Sequence, residues 1–153
     1  MFILLVVSSC GYQPIYSKNK IVDEALLSVS VKNIKDRSGQ ILKNSLINKI
    51  NPEGKKVITK YKLNIEINEA KTNLAYRKDM AATRTDLEIN VLYSLRNIKS
   101  GEVVYQDESS SISSFDVVES VYASLVAEND AREKSLKVLS DQIYTNLVIF
   151  FNQ

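Results

Sequence analysis

The chain has no histidine, no tryptophan, one cysteine, two prolines and four glycines in 153 residues. Each shortage narrows the possibilities. Without histidine, the commonest general base and the commonest metal ligand are missing. A lone cysteine, Cys10, rules out an internal disulfide, so the fold must stand on packing. Gly11, Gly39, Gly54 and Gly101 lie too far apart to build a phosphate loop or a dinucleotide fingerprint. No G-x-S-x-G elbow is present. No apolar run approaches the ~20 residues of a membrane-spanning helix. A net charge of +2 is too small to argue for a nucleic-acid partner. A carboxylate or Ser–Lys enzyme stays formally open, but no motif supports one. The expectation is a protein that is not an enzyme and needs neither metal nor cofactor.

What is present begins with residues 1–16, MFILLVVSSCGYQPIY. Phe2 to Val7 are apolar, Ser8 and Ser9 are small, and Cys10 follows. An apolar core followed by small residues is the order of a secretory signal. Ending on a cysteine, it resembles the lipobox of a bacterial lipoprotein. That resemblance implies cleavage before Cys10, a diacylglycerol on its sulfur and usually a further acyl chain, such as palmitate, on the new amino group. The alternative is a buried first strand around a core cysteine, since free cysteine is often buried. On the lipoprotein reading, residues 1–9 are a short signal peptide and residues 10–24 an acylated anchor with a polar tether. Residues 25–153 are then a single domain, in keeping with the length and with an ordinary 44% apolar and 25% charged composition.

Periodicity supplies the elements of that domain. Leu27, Val29 and Val31 alternate with Ser28, Ser30 and Lys32, the pattern of a half-buried strand. Asp36 or Ser38 is placed to cap a helix, in which Leu42, Leu46 and Ile50 share a face before Asn51-Pro52 ends it. Residues 57–68 are the clearest strand, with Tyr61, Leu63, Ile65 and Ile67 on one side. Residues 85–96 repeat the pattern with Leu87, Ile89, Val91, Tyr93 and Leu95. A hairpin loop at 97–101 leads to a fourth strand over 103–112, where Val103-Val104 suggests a bulge or a sheet edge. Helical spacing resumes at Val118, Tyr122 and Leu125, is interrupted at Asn129-Asp130, and continues through Leu136, Leu139, Ile143, Leu147 and Phe150. The order strand-helix-strand-strand-strand-helix predicts an α+β two-layer sandwich. Two helices pack on one face of a four-stranded, mostly antiparallel sheet, whose first crossover can be parallel.

Four segments carry a further resemblance: CGYQPIY at 10–16, IKDRSGQILKNSL at 34–46, AATRTDL at 81–87 and VYASLVAENDA at 121–131. In order and spacing they resemble the lipopolysaccharide-assembly lipoprotein family (LptE) of the Gram-negative outer membrane. The resemblance implies the same sandwich. It also implies a lipid-anchored protein on the periplasmic face of the outer membrane. Such a protein plugs a large β-barrel, the lipopolysaccharide translocon, assists its assembly and contacts lipopolysaccharide during insertion into the outer leaflet. Two other readings remain: an envelope lipoprotein acting as pilot or assembly factor for a different outer-membrane complex, and a small anchored hydrolase, which the lack of histidine disfavours.

Residues 71–84, KTNLAYRKDMAATR, read as a loop between the two best strands. They hold four cations, Lys71, Arg77, Lys78 and Arg84, with Leu74, Tyr76 and Met80 among them. Phosphates of a glycolipid such as lipid A need Arg or Lys, Arg binding two oxygens at once. Arg77, Lys78 and Arg84, with Lys71, are therefore the candidate lipopolysaccharide-binding residues. The alternative is a solvated loop whose charges keep an edge soluble. The lipidation reading predicts that Cys10→Ala, expressed with a functional signal, loses its membrane anchor. Intact-mass analysis of wild-type membranes should show an acylated Cys10, and an unmodified thiol would sink the reading.

Overall fold

The computed structural model describes residues 20–76 and 82–153. The elements are α1 (Lys20–Leu27), β1 (Val29–Val31), α2 (Arg37–Ile50), β2 (Tyr61–Tyr76), β3 (Ala82–Asn97), β4 (Val103–Asp116) and α3 (Val121–Phe151). The strands form one sheet in the order β1-β2-β3-β4. β1 and β2 run parallel, joined through α2, while β2, β3 and β4 form an antiparallel meander. This is the expected α+β sandwich, with three helices rather than two among the described residues.

The core follows from the alternation. Leu63, Leu87, Ile89, Val91 and Leu95 are fully buried on one side of the sheet, and Leu42, Leu46, Leu136, Leu139, Ile143 and Leu147 meet them from α2 and α3. The opposite face of the sheet is open to solvent. On β4 the helix-facing positions include Ser109, Ser111 and Ser113, opposite Val91, Ile89 and Leu87 of β3. Small side chains there let α3 lie close: Ser135 donates to Ser113 Oγ at 3.0 Å, and Ser113 donates to the Ala131 carbonyl at 3.3 Å.

Four expectations need correction. Residues 20–24, read as tether, and Leu27, read as strand, belong to α1, because Val22 and Leu26, four residues apart, bury together in the core. The interruption at Asn129-Asp130 does not occur: α3 runs unbroken for 31 residues. There Asn129 accepts a 2.9 Å bond from Arg132 Nη1, and Asp130 pairs with Lys134 one turn on. The cap is Ser120, whose side chain accepts from the Ala123 N–H. Asp36 does sit at the start of α2, but its side chain makes no cap bond. Gly39 is required one turn in, since a Cβ there would run into Ile34. Finally, β2 starts at Tyr61 rather than at residue 57 and runs eight residues past its expected end, while β3 begins three residues early and β4 ends four residues late. The bulge at Val103-Val104 is present as a register shift opposite Leu95/Arg96, on the outer strand β4.

Leu139 is completely buried on the α3 face that covers the sheet. Leu139→Ala should cost about 2–5 kcal/mol, lowering Tm by about 5–15 °C for a domain of this size. An unchanged melting curve would mean that this face of α3 is not in the core.

Candidate functional site

The segment read as a cationic loop is mostly strand. β2 extends to Tyr76 and β3 begins at Ala82, so Lys71 pairs across to Leu87 and Arg84 to Ala75. The polar run EAKTN at 69–73 carries little apolar signal, and pairing along β3 holds it extended regardless of intrinsic preference. Lys71 lies on the side of the sheet that α3 covers and reaches Glu128 at 2.5 Å. Arg84 is exposed, next to the buried Thr85 and opposite Asp116 on β4, so it belongs to the open face. The two cations are therefore on opposite faces. Arg77 and Lys78 lie outside the described residues, as do Cys10 and the rest of residues 1–19.

Lys71 belongs to a partly buried charge network. Arg132 on α3 donates through Nε to Glu69 on β2 at 3.0 Å and through Nη2 to Glu128 at 2.5 Å. Glu69 also accepts from Ser38 on α2 at 2.5 Å. Burial alone would raise the Glu128 carboxyl, but the hydrogen bonds and charges of Lys71 and Arg132 outweigh it and hold the group below its ordinary range. The network ties β2, α2 and α3 together at one level of the sheet. Lys71 is thereby largely neutralised in place.

Above that level the second layer is incomplete. The first turns of α2 stand beside Glu69, where Ser38 bonds it, whereas α3 continues about two turns further, from Glu128 back to Val121. α2, at 14 residues, spans about 21 Å and α3, at 31, about 46 Å. The space left over β2 is a groove of ≈ 380 Å³ with an apolar wall of Phe115, Val117, Val118, Val121 and Leu125, and Lys71 at its floor. Val121 and Tyr122 are 83% and 78% exposed. Exposed apolar residues grouped in this way mark a binding surface more often than scattered ones do, and the volume falls at the lower end of small-molecule sites. Periodicity alone places Val118, Tyr122 and Leu125 on one helical face but leaves open that nothing covers them.

At the other end, Tyr93 and Tyr105 donate to Asp107 Oδ2 at 3.2 and 2.8 Å, and Asn146 of α3 donates to the Tyr93 hydroxyl at 2.8 Å. Tyr105 stacks on Phe150 with ring centroids 4.8 Å apart. The polar groups answer one another, so the cluster locks the end of α3 onto β3 and β4. Burial first, and then the bond to Asp107, push the Tyr105 phenol above its ordinary value, so it is a poor proton donor near neutrality. Among the described residues, no group of His, Cys, Asp and Glu could hold a metal ion, and no helix is long and apolar enough to cross a membrane.

No protein-family model matches the chain, and no curated protein sequence matches it. Solved structures do. A Caulobacter crescentus protein described as a lipoprotein superposes with a TM-score of 0.70 at 20% identity, over 86% of this chain and 96% of its own. A minor lipoprotein from Acinetobacter baumannii gives 0.61 at 14% identity, over 79% and 88%. The rare lipoprotein B of Shewanella oneidensis gives 0.57 at 8%, over 78% and 90%. At these identities the likeness is one of fold, and the fold is one that bacterial lipoproteins use.

The tyrosine cluster has a pH signature. A phenol whose folded pKa lies above its unfolded value stabilises the fold fully below about pH 10 and loses that contribution as pH rises further. Wild type should therefore lose Tm more steeply above that pH than Tyr105→Phe, which keeps the ring stack but has no proton to lose. Thermal melts on both sides of the transition check this; parallel curves would contradict it.

Proposed function

We propose that this chain is a lipid-anchored envelope protein, held through acylated Cys10 on the periplasmic face of the outer membrane. In this reading it is a non-catalytic subunit that plugs a lipopolysaccharide translocon barrel, assists its assembly and contacts lipopolysaccharide. The observation that carries the proposal is the apolar groove at this end of the sheet, with Lys71 at its floor and Arg84 on the reverse face of the same strands. An acylated, phosphorylated glycolipid presents both an apolar and an anionic part, and this end of the molecule offers a counterpart to each. Val121 and Leu125 would meet acyl chain. Arg84, which makes no ion pair among the described residues, would meet phosphate together with Arg77 and Lys78 of the segment between β2 and β3. Lys71, already held by Glu128, would contribute less. The sandwich supports the reading in a second way. Its open sheet face is built of polar positions such as Asn64, Glu66, Asn68, Asn90 and Ser94, and a polar face suits the polar interior of a large barrel.

Lipopolysaccharide binding by the full chain tests this directly. Arg77→Glu with Lys78→Glu should weaken binding about tenfold or more, as expected for losing charge-assisted hydrogen bonds. The effect should be larger at low salt. Lys71→Gln should change it little. Purification from detergent-extracted membranes should bring down a large β-barrel protein; a secretin in its place would favour the pilot reading.

A further inference from the structure

The end of the molecule opposite the groove carries a different surface. Here β2 starts, the β3–β4 turn lies at residues 98–100, and α2 ends at Ile50. α1 sits against this end: its Asp23, Leu26 and Leu27 line the same ≈ 230 Å³ cavity as Lys55, Asn51 and Tyr144. α1, the first described element, therefore lies at this end.

Lys56, Lys60, Lys62 and Lys99 are all exposed, and none makes an ion pair among the described residues. Lys62 stands directly opposite Arg96 across the β2–β3 ladder on the open face, with Lys60 two residues away. Like charges facing each other across strands destabilise a sheet, so this pairing does nothing for the fold. Arg96 itself donates to the Gly101 carbonyl at 2.6 Å and keeps its charge. Of the acids at this end, Glu53 is held by Lys55 at 2.8 Å, Asp141 by Lys49 at 2.5 Å and Asp107 by Tyr105 at 2.8 Å, beside the exposed Asp23, Glu24 and Glu102. Among the cations stand exposed apolar side chains, Ile58 at 83% and Ile98 at 52%. Neither belongs to a groove or a core.

Free cations interleaved with isolated apolar side chains are the composition of a surface that rests on a charged bilayer. The cations meet lipid phosphates and the apolar groups enter the interface. We propose that this end is a docking surface for an anionic phospholipid bilayer, with Lys60, Lys62, Lys99 and Lys56 as the headgroup contacts and Ile58 and Ile98 as shallow insertions. It rests on the lipid-anchor reading, since the acylated segment would enter the domain at this same end. The groove would then point away from the anchoring leaflet, about 50 Å off along the 16 residues of β2.

The test is sedimentation of the full chain carrying Cys10→Ser with two kinds of vesicle. One is phosphatidylcholine alone, the other equal parts phosphatidylcholine and phosphatidylglycerol. The ratio of the two isolates the charge contribution from any apolar affinity of residues 2–7. The chain should favour the anionic vesicles, and the preference should fall as salt is raised. Each lysine near the surface contributes about a fivefold factor, so Lys60→Glu with Lys62→Glu should lower the ratio by about 25-fold or more. Lys62→Glu now faces Arg96 as an ion pair, so Tm should hold or rise, which separates lost docking from lost folding. The equal charge change Lys134→Glu with Lys137→Glu, on the outer side of α3, should leave vesicle binding near wild type. No preference for anionic vesicles would overturn the proposal. So would an unchanged ratio in the Lys60/Lys62 variant, or full displacement by millimolar inorganic phosphate, which would indicate a simple anion site. Because acylation is removed here, an unmodified Cys10 in native membranes would defeat the anchor reading while leaving this result standing.

Discussion

One constraint shapes the molecule: a single helix, α3, must cover a sheet longer than the other helix beside it. Leu136, Leu139, Ile143 and Leu147 bury against Leu87 to Leu95, and burial of side chains of this size contributes about 1.5–3 kcal/mol each. That packing occupies only the C-terminal two thirds of α3. Beyond the level of Glu69 the helix has no second helix at its side among the described residues, and its first turns border a groove over Lys71 and Asn73 of β2 with apolar groups in the open. Both the groove and its exposed wall follow from this mismatch in length.

The charge network marks where complete layering stops. Arg132, Glu128, Glu69, Lys71 and Ser38 join β2 to both helices above it, α2 and α3, at one height. Their side chains are partly buried, at 15% exposure for Arg132 and 16% for Glu128. Breaking one member would strand a desolvated charge, a larger loss than for an exposed pair. Below the network, apolar packing and the Tyr93–Tyr105–Asp107–Asn146 lock hold α3 down. Above it the surface is free for a ligand. The two ends of the sandwich thus differ in chemistry. One has an apolar groove with Lys71 at its floor; the other has lysines that make no ion pair among the described residues, around isolated apolar side chains.

How much of this was legible differs by element. The alternation in residues 61–67 and 85–95 reads directly as inward and outward faces, because a strand's period is exactly two and one face is buried. The helical face through Leu139 and Ile143 is equally plain. α1 was hidden: its eight residues were too short for a periodic signal, and the Leu27 to Val31 alternation overlapped its end. The apparent break at Asn129-Asp130 vanished because both side chains bond to neighbours on the same helix face rather than capping a new helix. Of the candidate cations, the sequence could list Lys71 and Arg84 together but not say that their side chains leave opposite faces. That depends on the register and on the shift between Asn73 and Ala75.

The sequence by itself determined the α+β class, the inward face of each strand and the main stripe of α3, since these are properties of residue order along one element. It also places Cys10 after an apolar and then a small-residue run, the pattern on which the proposed lipid anchor rests. Tertiary structure decided everything that depends on distance between elements. It engaged Lys71 with Glu128, extended a polar segment into strand, left Val121 and Tyr122 uncovered, and set Lys62 opposite Arg96. The reason is physical. Periodicity reports which way a side chain points, whereas pairing, burial and exposure are fixed by which neighbour arrives there, and that is settled only when helix lengths and strand register meet in one core.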